Sequence, residues 1–308
     1  MQLGRRALWS GAAGVVAGSV GLPAYAFGIE PAWRLGVTEY APHATRWPEG
    51  MALTIAVISD LHVGEPYMGL GRIAEIVDTT NALRPDLVVI LGDFAASHRF
   101  VSRPVTAPET AAALARLRAP LGRYAILGNH DYWSDPVPWR RSFAASGVPL
   151  LENDLVALRH DGRAFWLAGT ASTLAIRLGG KRFHGLDNLP GTLRRLTDDA
   201  PVILLAHEPD IFPRVPPRVA LTLCGHTHGG QIRILGYSPR VPSRFGNRYA
   251  YGHVVEGGRD LIVSAGLGVS TLPVRFGVPP EIVLVRLGGQ LQDSNVDARR
   301  GGLRNSRA

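Results

Sequence analysis

One device, used five times, constrains this chain more than any other feature: a short apolar run that stops on a nitrogen or oxygen donor. The run from Leu53 ends in Asp60-Leu61-His62, and Leu87–Leu91 ends in Gly92-Asp93. Tyr124–Leu127 ends in Gly128-Asn129-His130-Asp131, and the run after Pro201 ends in His207. Leu221–Cys224 ends in Gly225-His226-Thr227-His228, with Gly229 and Gly230 behind it. Short apolar runs bounded by turn residues read as buried strands. In extended backbone, side chains at i and i+2 project to one face. Asp60 with His62, and His226 with His228, therefore each present a pair of donors on one side. Carboxylate, amide and imidazole together suit a hard or borderline metal. Five such endings in one chain require a fold that gathers strand ends at one edge.

From Leu53 onward strands alternate with helical patterns. Helices are expected at Gly69–Ala82, with Ile73, Ile76 and Val77 on one face, at Glu109–Leu117 and at Pro138–Ser146. The rhythm then changes. Asp161-Gly162 and Gly257-Gly258 each sit between apolar segments and read as hairpin turns. Thr170–Leu189 is polar and reads as an irregular loop, and Glu281–Leu287 reads as the closing strand. A βαβα first half needs helices over its apolar strands. The later hairpins add antiparallel strands. The expected fold class is α/β: a four-layer α-β-β-α sandwich of two mixed sheets with flanking helices. The site is expected at the carboxyl ends of the strands, where α/β proteins commonly bind ligands.

The 308 residues are 46% hydrophobic and 19% charged, enough for a substantial core. Cys224 is the only cysteine, which excludes an internal disulfide and a cysteine-based zinc site. Net charge is +8, with Lys181 the one lysine, so the positive charge is nearly all arginine. That balance favours anionic substrates or membrane surfaces. The arginines are scattered and show no aromatic interleaving, so nucleic acid is not an expected partner.

Residues 1–27 stand apart. Arg5-Arg6 precede an uncharged stretch, Ala7–Phe27, that closes with the small-x-small pattern Ala24-Tyr25-Ala26. This pattern resembles a twin-arginine export signal. The stretch also approaches the ~20 residues that span a bilayer, so an uncleaved membrane anchor is the alternative. In either case the arginines before the segment favour a cytoplasmic N-terminus with the following domain outside the cytoplasmic membrane. The other arrangement is a tether with the enzyme on the inner, cytoplasmic face. Residues 28–50 read as a connector, 51–288 as the main domain, and 289–308 as a disordered polar tail.

Asp60-x-His62, Gly92-Asp93, Gly128-Asn129-His130-Asp131, His207 and Gly225-His226-Thr227-His228, in this order, resemble the calcineurin-like metallophosphoesterase superfamily. The resemblance spans roughly Leu53 to Leu287. Gly229-Gly230-Gln231, Leu272–Gly277 and Pro279-Pro280-Glu281 look like one bacterial branch, whose members carry an N-terminal membrane or export segment. Some members cleave the pyrophosphate of UDP-diacylglucosamine. The resemblance implies that Asp60, His62 and His228 hold one metal and that Asn129, His207 and His226 hold a second, with Asp93 bridging them. Mn, Fe, Zn or Ni suits such a mixed N/O set; all-oxygen magnesium or calcium sites do not match it. A bridging carboxylate can hold two cations ~3.5–4 Å apart and clamp both oxygens of a phosphate displacement.

His130 is the candidate general acid, and Asp131 is expected to orient its loop. His98 and Arg275 are candidate substrate-binding residues. Protein phosphatases of the superfamily carry Asp and then Arg where this chain has Ala96 and Ser97, which argues against a phosphoserine substrate. The expected function is a dinuclear metal-dependent phosphodiesterase or pyrophosphatase. Its expected substrate is a phospholipid or nucleotide-sugar lipid, with membrane association. A phosphomonoesterase and a non-catalytic metal-binding scaffold are the alternatives.

Overall fold

Alternation along the strands sorts side chains into three cores. The strands, in chain order, are β1 (Gly36–Tyr40), β2 (Leu53–Ile58), β3 (Leu87–Ile90), β4 (Arg123–Ala125), β5 (Asp154–His160), β6 (Arg163–Gly169), β7 (Val202–Leu205), β8 (Val219–Cys224), β9 (Gly252–Glu256), β10 (Arg259–Val263) and β11 (Glu281–Leu287). These come from a computed structural model that describes residues 21–289. Arg5-Arg6, most of the uncharged leader and nearly all of the expected tail lie outside the described residues.

The first sheet has the order β1-β11-β2-β3-β4, with β11 antiparallel to β2 and the other pairs parallel. The second has the order β9-β10-β8-β7-β6-β5, parallel through its middle and antiparallel at both edges. Both sheets are mixed, as expected; the two hairpins account for the antiparallel edges of the second sheet, whereas the first is mixed because β11 runs antiparallel to β2. Leu53, Ile55 and Val57 of β2 face inward with Leu87 and Val89 of β3. They meet Phe165, Leu167, Ile203, Leu205, Leu221 and Leu223 of the second sheet. Each such side chain taken out of water contributes about 1.5–3 kcal/mol.

The intervening residues of the first sheet, Ala56, Ile58, Val88 and Ile90, face outward. They pack against α1 (Leu70–Ala82), α2 (Ala107–Leu114) and α4 (Pro136–Ala145). A shorter helix, α3 (Asn129–Ser134), begins where β4 ends. The outer face of the second sheet is covered more lightly, by α5 (Leu189–Leu193) and by 3-10 turns at Pro209–Arg214 and Gly246–Tyr249.

Three segments depart from the expected pattern. Within 28–50, β1 joins the edge of the first sheet; one of its faces is half-exposed, so no apolar period announces it. Within Thr170–Leu189, Ile176–Arg177 pairs with Phe183–His184 in a two-residue ladder. Residues 21–33 are helical, and Ala26, Glu30 and Pro31 within them are buried. The small-x-small pattern at Ala24-Tyr25-Ala26 thus lies on a helix packed against the body of the protein.

Candidate metal centre

β2, β3, β4, β7 and β8 deliver their carboxyl ends to the same edge, and the candidate residues sit just beyond them. Five of the seven expected ligands, Asp60, His62, Asp93, His226 and His228, adopt positive φ. Such left-handed backbone is uncommon outside glycine and clusters at functional sites. The loops brace one another: the Asp60 N–H donates to the Gly92 carbonyl and the His62 N–H to the Asp93 carbonyl.

Glycine permits the closest approaches. A Cβ on Gly128 would lie 2.2 Å from Oδ1 of Asp93, and one on Gly225 would lie 1.9 Å from Oγ of Ser59 and 2.3 Å from Oδ2 of Asp60.

Two triads result, Asp60–His62–His228 and Asp93–His207–His226, all six buried. Asp93 lies between them: its Oδ2 is 3.1 Å from Nε2 of His207 and 3.6 Å from Nε2 of His62. Nε2 of His62 and Nε2 of His228 are 3.1 Å apart. Nδ1 of His226 is 2.8 Å from Oδ1 of Asn129, which brings the seventh expected ligand to the second triad.

The outer ring nitrogens say which way the lone pairs point. His62 Nδ1 donates to the Ala95 carbonyl at 2.9 Å, and His207 Nδ1 to the Leu91 carbonyl at 2.6 Å. His226 Nε2 donates to the Pro242 carbonyl at 2.9 Å. In its neutral form each ring therefore turns an unprotonated nitrogen inward. Carbonyls behind ligating histidines commonly fix the tautomer in this way. Inside, these lone pairs face carboxylate and amide oxygens, an arrangement that favours a positive charge between them. Nε2 of His207 is buried without a satisfactory hydrogen bond. The donor set and its orientation fit two cations.

Without cations, protons respond to the same field. Burial disfavours a charged His207, but Asp93, then Asp60 and Glu208, outweigh it and hold its pKa well above the ordinary histidine value. Burial likewise opposes ionised Asp93, yet His207, His130 and His62 hold its pKa well below the usual carboxylate range. His130 moves the other way: burial pulls its pKa down to about 3, against the attraction of Asp93. Its ring stands edge-on to His62 at 5.0 Å and to Trp133 at 4.7 Å. Its backbone N–H donates to Oδ1 of Asp93.

Asp131 acts as the loop's clasp. Its Oδ2 accepts the N–H groups of Asp93 and Gly128, and its Oδ1 those of Phe94 and Ala95. Burial and the charge of Asp93 push its pKa up to about 7, while those backbone donors pull the other way.

Two expected substrate residues fare differently. His98 is buried beside Tyr67; its Nδ1 accepts the Phe100 N–H and its Nε2 has no partner among the described residues. Arg275 calls for a correction: it is fully buried, and its guanidinium donates to the carbonyls of Gly268, Val278 and Ala265. It cannot grip a phosphate from solvent. One of its nitrogens lies 3.3 Å from Nδ1 of His228, and burial together with nearby charges, Arg275 included, holds that ring's pKa well below the ordinary value.

Sequence reasoning also passed over Glu208 and Glu30. Glu208 ties the Ser172-Thr173 loop beside the site, and Glu30 accepts the N–H groups of Gly277 and Val278. Neither glutamate lies in an apolar run, so no periodicity marks it.

Comparison with known proteins agrees with this geometry. The family model of the calcineurin-like phosphoesterases matches residues 53–230. An uncharacterized metallophosphoesterase of Bacillus subtilis, YkuE, is 32% identical over 270 residues, covering 85% of this chain and 88% of that protein. A bovine transmembrane protein with a metallophosphoesterase domain is 34% identical, covering 77% of this chain; the chain spans only 53% of its length. Among solved structures, a 5'-nucleotidase precursor from Thermus thermophilus aligns over 70% of this chain and 49% of its own, at 15% identity and a TM-score of 0.46. With two buried donor triads at the expected strand ends and a family match over more than half its length, the chain belongs to the calcineurin-like phosphoesterases and is a metal-dependent phosphoester hydrolase.

Proposed function

We propose that this hydrolase is a phosphodiesterase or pyrophosphatase. Its proposed ligands are Asp60, His62 and His228 for one cation, Asn129, His207 and His226 for the other, and Asp93 for both. The observation that supports a diester is the state of Arg275. Every bond of its guanidinium is to a backbone carbonyl or to the His228 edge. Ala96 and Ser97 add no cation where protein phosphatases place an arginine. Arg275 and positions 96–97 thus offer a monoester dianion no guanidinium, whereas a diester carries one charge fewer.

Two bound cations would supply Lewis acidity and neutralise charge on the phosphoryl oxygens. The chain's own residues hold and orient. Asp131 fixes the backbone that carries Asp93 and Asn129, and the Leu91, Ala95 and Pro242 carbonyls fix the three imidazole rings. Burial draws the His130 pKa down, so as a neutral ring it can donate an N–H hydrogen bond to a leaving oxygen. Protonating that oxygen takes the imidazolium, which an anionic substrate beside the ring favours.

A phospholipid or nucleotide-sugar lipid such as UDP-diacylglucosamine is the proposed substrate class. The exposed apolar side chains of Ile29, Trp33, Ile234, Leu235 and Tyr237 support it, as does the uncharged stretch Ala7–Phe27. We propose that the domain is exported by the twin-arginine route or stays anchored at the membrane. The test compares bis-p-nitrophenyl phosphate with p-nitrophenyl phosphate in Mn, Fe, Zn or Ni. The expected outcome is a kcat/KM at least roughly tenfold higher on the diester, a difference of about 1.4 kcal/mol in barrier. A monoester preference with every metal would overturn the diester reading and favour a phosphomonoesterase.

A further inference from the structure

Four segments meet around the metal centre. The largely helical segment 21–34 docks onto the 268–280 loop through Arg275 N–H to the Ala26 carbonyl and through the Tyr25–Phe276 ring contact. The 231–248 loop leaves His228 and pairs with the same segment, Ile232 beside Phe276. The 95–103 loop joins through Ser97 to Ser270, and through Tyr67, which touches both His98 and the Phe27 carbonyl.

This rim has two chemical peculiarities. First, it exposes large apolar side chains. Ile234, Leu235 and Tyr237 project from a tight turn, Trp33 is 80% exposed, and Ile29 and Phe100 are also open to solvent. Leu235 is fully exposed and holds a left-handed φ of 48°, a conformation unfavourable for a leucine. Folding gains nothing from a leucine there. Second, the four segments contain a single carboxylate, Glu30, and it is buried. Arg34, Arg99 and Arg240 are exposed among them.

The nearest carboxylates, Glu65, Asp210 and Glu256, are partly buried in pairs with Arg103, Arg244 and Arg248. Apolar tips framed by Arg34, Arg99 and Arg240 therefore still match the interfacial region of an anionic bilayer. A protein partner would leave the missing carboxylates without a reason. The chain's direction adds a further argument. No charged residue occurs from Ala7 to Ile29, so the uncharged leader runs straight into this rim at residue 21.

We infer that this rim is a membrane-docking face. The Ile234–Tyr237 turn and the 21–34 segment sink into the headgroup region of an anionic leaflet and hold the mouth of the metal centre against it. This extends the lipid-substrate proposal, but its test uses no catalysis, so either can fail alone.

The experiment uses the full chain. Leu235→Cys gives a single accessible thiol, because Cys224 is buried, and takes an environment-sensitive NBD label. A control label goes on Asp161→Cys, at the exposed β5–β6 turn on the opposite end of the strands. Vesicles of phosphatidylcholine are added with and without phosphatidylglycerol. The expected result is a blue-shifted emission and a several-fold rise at 235 with the anionic vesicles, with no change at 161. In a second variant, Ile234→Asp/Leu235→Asp, hydrolysis of a soluble ester stays as in the wild type, and the share of tryptophan quenching by brominated anionic lipid that Trp33→Phe removes falls several-fold. Label 235 remaining in water while the protein sediments with vesicles would show that residues 1–20 alone hold the membrane, and would overturn the inference. Equal shifts at both labels would mean unspecific adsorption, and a concentration-dependent shift without lipid would mean a second copy of the chain; both also overturn it.

Discussion

Replacing Asp131 tests whether the site depends on one clasp. Its carboxylate receives four backbone N–H groups, from Asp93, Phe94, Ala95 and Gly128, at 2.8–2.9 Å in a fully buried position. Asp131→Ala strands all four. A buried donor left without an acceptor costs about 1–3 kcal/mol, so the lower bound for four is on the order of 4 kcal/mol. Native domains hold about 5–15 kcal/mol in total. At about 2–4 °C per kcal/mol, Asp131→Ala should melt roughly 8–16 °C below the wild type. Asp131→Asn keeps the shape and one acceptor oxygen, so two of the four donors stay paired and the loss should be about half. The assay is thermal unfolding of chelator-treated protein, followed by metal titration of each variant. Both variants should also load metal poorly, because the clasped loop carries Asp93 and Asn129. Melting of Asp131→Ala within about 2 °C of the wild type would refute the clasp, since even two stranded donors should cost more.

Purified protein reloaded with Mn or Fe should approach two metals per chain by elemental analysis, and Asp93→Asn should lose both or nearly all activity; no bound metal would sink the assignment. Gly128→Ala and Gly225→Ala each push a methyl group into a carboxylate of the site, so each should keep its far-UV circular dichroism and lose metal affinity. His207 is held protonated when cations are absent, and a cation must displace that proton. Calorimetry in buffers of different ionisation enthalpy should detect release of about one proton, with affinity falling as pH drops. His130→Asn should slow esters with poor leaving groups far more than p-nitrophenyl esters, and equal losses on both would leave His130 a structural role.

Much of the site was legible because its donors lie close to strand ends. Asp60-x-His62, Gly92-Asp93 and His226-x-His228 were legible as donors just past apolar runs, but strand periodicity is not what orients them. All five residues have left-handed φ beyond the last strand residue, and His226 and His228 serve different triads. The first sheet was legible for a similar reason: Ile73, Ile76 and Val77 mark one helical face, and the apolar runs beside it are long. Edge strand β1 was not, because an edge strand with a half-exposed face carries no apolar run. Arg275 misled because arginine beside a phosphate chemistry suggests an anion ligand. Its actual partners are carbonyls of Ala265, Gly268 and Val278, and carbonyls leave no trace in side-chain sequence. The same blindness applies to the Leu91, Ala95 and Pro242 carbonyls that set the histidine tautomers.

Arg275 also explains why the leader and the site should be considered together. Its N–H binds the Ala26 carbonyl, its guanidinium ties the Ala265 and Gly268 turn, and the Gly268 N–H binds the Asp60 carbonyl. Two residues on, the Gly277 and Val278 N–H groups are capped by Glu30. A short covalent and hydrogen-bonded path therefore runs from residues 26–30 to Asp60 and His228. Cleavage at Ala24-Tyr25-Ala26 would cut this helix at its contact with Arg275 while leaving Glu30 attached to the body. An uncleaved segment keeps both contacts. Release of residues up to 26 would forfeit the Ala26 bond and the Tyr25–Phe276 contact.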